Sequence, residues 1–127
     1  FLNLPNMPED FVPYWDMKAP GVDGLQSHVA VDSVPRDASA AALIASGLYE
    51  LCTYITPEKG KRYKSIADKI VGNLGRHYQA EPGTHYGFLL LHSTGHHPGG
   101  SEIDVPLNYA DYFYLEALAR KEALDNQ

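Results

Sequence analysis

Apolar and polar positions are arranged in three different ways along the chain. From Asp37, the stretch "DASAAALIASGLYELCTYI" (37–55) puts Ala, Leu and Ile on every side of a 3.6-residue repeat, and a helix apolar all round is a buried helix. Asp37 stands where a carboxylate accepts hydrogen bonds from the free amides of a first turn. Thr56 and Pro57 then supply a cap and a first-turn proline. Behind them Tyr63, Ile66, Ala67, Ile70, Val71, Leu74 and Tyr78 recur at i, i+3, i+4 and i+7. Lys61, Arg62, Lys64, Asp68, Lys69 and Asn73 take the other side, so the spacing predicts an amphipathic helix with one wet face, ended by "QAEPGTHYG". A third helix is expected over about residues 106–124, started by Asp104 and Pro106 and apolar on most sides until "RKEALDNQ". The order buried, amphipathic, buried is what concentric rings of helices produce, with the inner ring covered on both sides and the outer ring on one.

The N-terminal 36 residues follow none of these patterns. They hold Pro5, Pro8, Pro13, Pro20 and Pro35 with Gly21 and Gly24, which break a helical repeat before it is established. We expect an extended, loop-rich arm over 1–36 leading into a helical part over 37–127. A free-standing arm of that length is unusual, so it is expected to pack against something. The chain starts at Phe1 rather than Met, and the expectation is a processed form or a fragment of a longer protein.

Composition narrows the partners. The 127 residues suit a single unit, and the net charge of −6 is spread along the chain while the ten Lys and Arg form no phosphate-neutralising stripe. Nucleic acid is therefore not an expected partner. The apolar runs are shorter than the roughly 20 residues of a membrane helix, so no membrane is expected either. Cys52, the single cysteine, falls in an apolar helical run, where a small hydrophobe is expected rather than a reactive thiolate.

Candidate chemistry lies in three places. In "PYWDM", Trp15 beside Tyr14 offers a flat apolar face to a sugar ring and Asp16 a carboxylate for proton transfer; spacing alone favours the other reading, in which Trp15 plugs the arm onto the helices and Asp16 caps a turn. The loop "LLLHSTGHHPGGSEID" (89–104) brings His92, His96, His97, Glu102 and Asp104 together, but adjacent histidines followed by Pro98, Gly99 and Gly100 match no zinc spacing. His92 and Ser93 close an apolar run at the mouth of this loop. "LHSTG" lacks the first glycine of a nucleophile elbow, and "GHHPGG" lacks the spacing of a phosphate loop. Asp37 and Asp104 are read as helix N-caps, worth about 1 kcal/mol each. Asp111, among Tyr109, Tyr112, Phe113 and Tyr114, is either on an exposed stripe or paired with a donor from another helix such as Arg36, because an unpaired buried charge is too costly.

Taken in order, "VPYWDM" (12–17), "RDASAAALIASGLYEL" (36–51) and "FLLLHSTGHHPGGSEIDVPLNYADYFYLEALAR" (88–120) resemble the C-terminal part of the unsaturated glucuronyl hydrolases of glycoside hydrolase family 88. The resemblance implies an all-α fold, the C-terminal portion of an (α/α)6 toroid of the six-hairpin type. It implies hydration of the vinyl ether double bond in oligosaccharides that carry a 4,5-unsaturated uronic acid, without metal or cofactor. An aspartic acid protonates C4, water adds at C5, and the hemiketal opens. Members are about three times as long as this chain, as one large helical domain allows, and both catalytic aspartates belong to the N-terminal half, so no catalytic residue is carried over here. The resemblance makes His92, Ser93, Thr94 and Tyr109 candidate sugar contacts, with Trp15 beside them, and leaves bacterial cytoplasm or periplasm open. Helices cut from a closed ring expose apolar faces, so self-association or contact with the remaining part is expected. The rival reading is a small, non-catalytic helical sugar-binding or scaffold module.

Overall fold

The computed structural model describes residues 1–26 and 33–126, so residues 27–32 of the expected arm lie outside the described residues. Among the described residues it contains three α-helices, two short 3-10 turns and no strand beyond isolated bridges. None of these helices is long and apolar enough to cross a membrane.

Helix α1 spans Ala38–Leu51, and Asp37 caps it by accepting from the Ser39 amide, as its position suggests. The apolar run continues to Ile55, but the helix stops at Leu51, and beyond it the ring of Pro57 disfavours helical backbone in the residue before it. Thr56 is accordingly extended, at ψ 145°. Cys52 is therefore the C-cap and not a mid-helix residue, and its Sγ contacts the Tyr49 carbonyl at 3.0 Å. Helix α2 spans Pro57–His77, with Pro57 in the first turn and Thr56 as N-cap making no side-chain capping bond. Ala67, Ile70, Val71 and Leu74 are buried and Lys61, Arg62 and Lys69 exposed, the two faces that the spacing predicts.

Helix α3 spans Asn108–Asp125. The expected start at Asp104 and Pro106 is corrected: Leu107 is the N-cap, and the segment before it is tied into a loop. Ser93 and Val105 exchange both backbone hydrogen bonds, at 3.0 and 2.9 Å, and this pairing holds the chain extended up to Pro106. Asp104 serves this loop instead of capping a helix.

Helix α1 lies between the other two. Ala38, Ala41, Ala42 and Ala45 are fully buried and short enough to let neighbouring backbones approach. Relative to α2 it is antiparallel, since Cys52 meets Gly60 while Tyr49 bonds Asp68 at 2.8 Å further down the pair. A side chain at Gly60 would sit 2.7 Å from the Cys52 carbonyl, so only glycine permits this turn to close. Relative to α3 it is parallel: Ser46 bonds Glu116, and Arg120 bonds both the Ser46 carbonyl at 2.8 Å and the Glu50 carboxylate at 2.7 Å. Two parallel helices with an antiparallel one outside them form the inner, outer, inner order.

The inner helices are less covered than an apolar pattern alone implies. Leu43 is 50% exposed on α1, and on α3 Tyr112 and Leu115 are 59% and 53% exposed. Tyr112, which the pattern assigns to the core, is thus corrected to a surface position. Residues 1–26 contain no helix and form a second small core from Met7, Tyr14, Met17, Ala19 and Val22. Asn6 closes that core by donating to the carbonyls of Met17 and Val22 at 2.7 and 2.8 Å.

Candidate functional site

The start of α1, the end of α2 and the start of α3 meet at one end of the bundle, and the polar loops collect there. Asp37 joins two of them. Besides capping α1, its Oδ1 accepts from the Ser39 hydroxyl at 2.6 Å and from the Thr94 amide at 3.3 Å. Thr94 is buried; its hydroxyl donates to the Arg36 carbonyl at 3.0 Å and accepts from the Asp104 amide at 3.2 Å. The His92 carbonyl takes the Ala38 amide at 3.0 Å. One loop is therefore fixed by four hydrogen bonds to the first turn of α1, to the residue before its cap and within itself.

On this base the candidate side chains separate. His92 is exposed, held in left-handed backbone at φ 63°, with Nδ1 2.7 Å from Asp104 Oδ1 and its ring edge-on to Tyr78. Asp104 is left-handed too, at φ 54°, and two strained residues joined by one hydrogen bond define the rim of the loop. Ser93 is fully buried beneath that rim, its hydroxyl without a partner among the described residues. Tyr109 is 40% exposed in the first turn of α3. Burial first, and then the charges of Glu102 and Asp37, push its phenol above the ordinary value against a hydrogen bond with Ser39, so it stays a neutral donor and acceptor. The Glu102 carboxylate and the Tyr109 hydroxyl converge on the space that a side chain at position 95 would occupy, which Gly95 leaves empty.

Trp15 belongs to the same end. Its amide donates to the Pro35 carbonyl at 3.0 Å, and its indole lies parallel to the His97 ring, 4.1 Å away and tilted by 6°. Asp16 turns the chain by accepting from the Lys18 amide at 2.8 Å. Among the described residues no three His, Cys, Asp or Glu side chains gather as metal ligands.

Two carboxylates find partners that spacing does not reveal. Asp111 is not paired with Arg36: its two oxygens accept from the successive amides of Leu89 and Leu90, each at 2.9 Å, and pin the loop to α3. Arg36 instead bonds Asp10 in the arm, and the Tyr78 hydroxyl donates to the same carboxylate at 2.7 Å. Burial alone would raise Asp10, but the bonds from Arg36, Tyr78 and the Val12 amide outweigh it and hold the carboxyl below its ordinary value. Burial, reinforced by Asp10, raises the Tyr78 phenol. From His77 to Ala119 there is no Lys or Arg, whereas Glu81, Glu102, Asp104, Asp111 and Glu116 are acidic. This stretch therefore offers hydroxyls, imidazoles and carboxylates, groups that can hydrogen-bond sugar hydroxyls.

Known proteins are similar to the chain in sequence and in fold. The chain is 39% identical, over 98% of its length, to an unsaturated glucuronyl hydrolase of Formosa agariphila, and 31% identical, over 94%, to an unsaturated chondroitin disaccharide hydrolase of Streptococcus pneumoniae. It spans 28% of the length of each. The crystal structure of an unsaturated glucuronyl hydrolase specific for heparin superposes on 99% of the chain with a TM-score of 0.86 and 42% identity, the chain covering 31% of it. The enzyme from Bacillus sp. GL1 superposes on 92% with a TM-score of 0.79 and 31% identity, the chain covering 29% of it. No protein-family model matches. In sequence and in helical fold alike, this chain matches a segment of the unsaturated glucuronyl hydrolases that spans somewhat more than a quarter of their length.

Proposed function

We propose that this chain forms part of a glycosidase that hydrates the double bond of 4,5-unsaturated uronyl oligosaccharides, and that its loop end supplies one wall of the sugar pocket. The observation that carries the reading is 39% identity sustained over 98% of the chain. In this reading His92 and Tyr109 meet the sugar at the rim. Thr94 holds the loop from below, Ser93 lies under it with a free hydroxyl, and Trp15 backs the wall from the arm.

The proton donor lies outside this segment. A general acid at neutral pH is a carboxyl whose pKa is raised. Asp10 is held low by Arg36, Asp111 is saturated by two amides, Asp37 is engaged by Ser39 and Thr94, and Asp104 is paired with His92. Each already holds a structural contact of the fold. Arg36 at this end is engaged by Asp10 and Tyr78, so the cations that meet the uronate carboxylate also come from elsewhere. The exposed apolar positions of α1 and α3 pack against the remaining helices of the ring, or against a second copy when those are missing.

The test is to express the 127-residue chain and the longest reading frame that contains it, and to follow the ultraviolet absorbance of an unsaturated uronyl disaccharide. The longer protein is expected to remove the absorbance and the chain alone to leave it. A folded long form that leaves the double bond intact overturns the proposal, and a reading frame that begins at Phe1 favours the non-catalytic sugar-binding module.

A further inference from the structure

We propose that His97, laid flat against Trp15, is a sugar-binding residue whose ring nitrogens take the hydroxyl groups of a pyranose ring in the substrate. The inference rests on the sugar-wall reading above and deepens it by naming a contact that the sequence did not single out for sugar.

Three observations carry it. The first is the stack itself, with ring centroids 4.1 Å apart and planes within 6° of parallel. Trp15 also packs against the arm cluster of Met7, Tyr14, Met17, Ala19 and Val22. Trp15 and His97 are both partly exposed, so the stacked pair stands at the surface of this end.

The second is what the other loop histidines do. His85 engages Thr84 through Nδ1, His92 engages Asp104, and His96 engages Ser101. Among the described residues the His97 ring makes the stack and no side-chain hydrogen bond, so both of its nitrogens keep their hydrogen-bonding capacity there. A neutral imidazole carries one donor and one acceptor, which matches a pair of neighbouring sugar hydroxyls. A ring already held in place loses less freedom on binding than a mobile one.

The third is position. His97 lies three residues beyond Thr94, in the hairpin closed by the Gly95 amide on the Glu102 carbonyl at 2.8 Å and the Ser101 amide on the His96 carbonyl at 3.3 Å. Trp15 and Thr94 flank one short stretch, since the Trp15 amide bonds the Pro35 carbonyl and the Thr94 hydroxyl bonds the Arg36 carbonyl. The stack therefore stands beside the rim formed by His92, Glu102 and Tyr109 and extends the same wall.

The experiment measures the KM of the full protein that carries this chain for an unsaturated uronyl–glucosamine disaccharide, from the loss of its ultraviolet absorbance. His97→Phe preserves the stack and removes the two nitrogens; its KM is expected to rise about tenfold with the melting temperature unchanged. Trp15→Leu releases the ring and is expected to raise KM several-fold, with His97 still present. A KM of His97→Phe within twofold of the unaltered protein overturns the inference and leaves the proposed function standing. Failure of the unaltered protein to act on the disaccharide removes both.

Discussion

One guanidinium nitrogen of Arg36 reaches both carboxylate oxygens of Asp10 at 2.7 Å, across 26 residues of sequence. This pair fastens the arm to the approach to α1, and the Tyr78 hydroxyl closes it from the end of α2. Three segments thus share one carboxylate.

The pH dependence of this junction has a definite sign. The folded carboxyl is held below its ordinary value, so its contribution to stability is fully present above the ordinary aspartate range and is lost as pH falls through the lower folded value. Asp10→Asn is expected to destabilise by about 1–2 kcal/mol near neutral pH, and the difference from the unaltered protein is expected to shrink below about pH 4. Chemical denaturation across pH checks both. A difference that grows on acidification contradicts the assignment.

Asp111 gives a graded test. Asp111→Ala leaves the Leu89 and Leu90 amides without their acceptor and is expected to cost about 2–3 kcal/mol. Asp111→Asn keeps a single acceptor oxygen and is expected to fall between the two. Hydrogen exchange of these two amides, resolved by NMR, is the direct readout; unchanged protection in Asp111→Ala rules out the clamp.

At Gly95 the prediction concerns binding. Any side chain there meets the Glu102 carboxylate and the Tyr109 hydroxyl. Gly95→Ala is expected to displace both from the rim and to weaken sugar binding more than it lowers the melting temperature. A variant that binds as the unaltered protein does would place Glu102 and Tyr109 outside the site.

The exposed apolar positions make the last prediction. Leu43, Tyr112 and Leu115 are at least half exposed, and the 127-residue chain is expected to self-associate through such faces. Leu115→Lys with Leu43→Glu is expected to shift light scattering towards monomer. A clean monomer from the unaltered chain at high concentration refutes the idea.

Part of this molecule is legible in the sequence because it is local. Ala67, Ile70, Val71 and Leu74 face inward because a repeat of three and four residues leaves them no choice, and Asp37 caps α1 because its carboxylate needs only the amide two positions on. Asp104, Val105 and Pro106 carry the same kind of local signal for a helix start, but pairing of Val105 with Ser93 overrides it. The partners of Asp10 and Asp111 are 26 and about 21 residues away, and no local spacing encodes them. The exposure of Tyr112 is illegible for another reason: an apolar face that waits for a neighbour has the same sequence as one that has it.

Ser46 with Glu116 and Glu50 with Arg120 are both 70 positions apart, so α1 and α3 run side by side without slippage. These ties lie two or more helical turns below the loops, at about 1.5 Å of rise per residue. The residues between Thr94 and Val105 bear none of that alignment. They form an exchangeable cassette on a fixed mount, and a lineage can rewrite them to suit a new glycan without disturbing the helices that carry them.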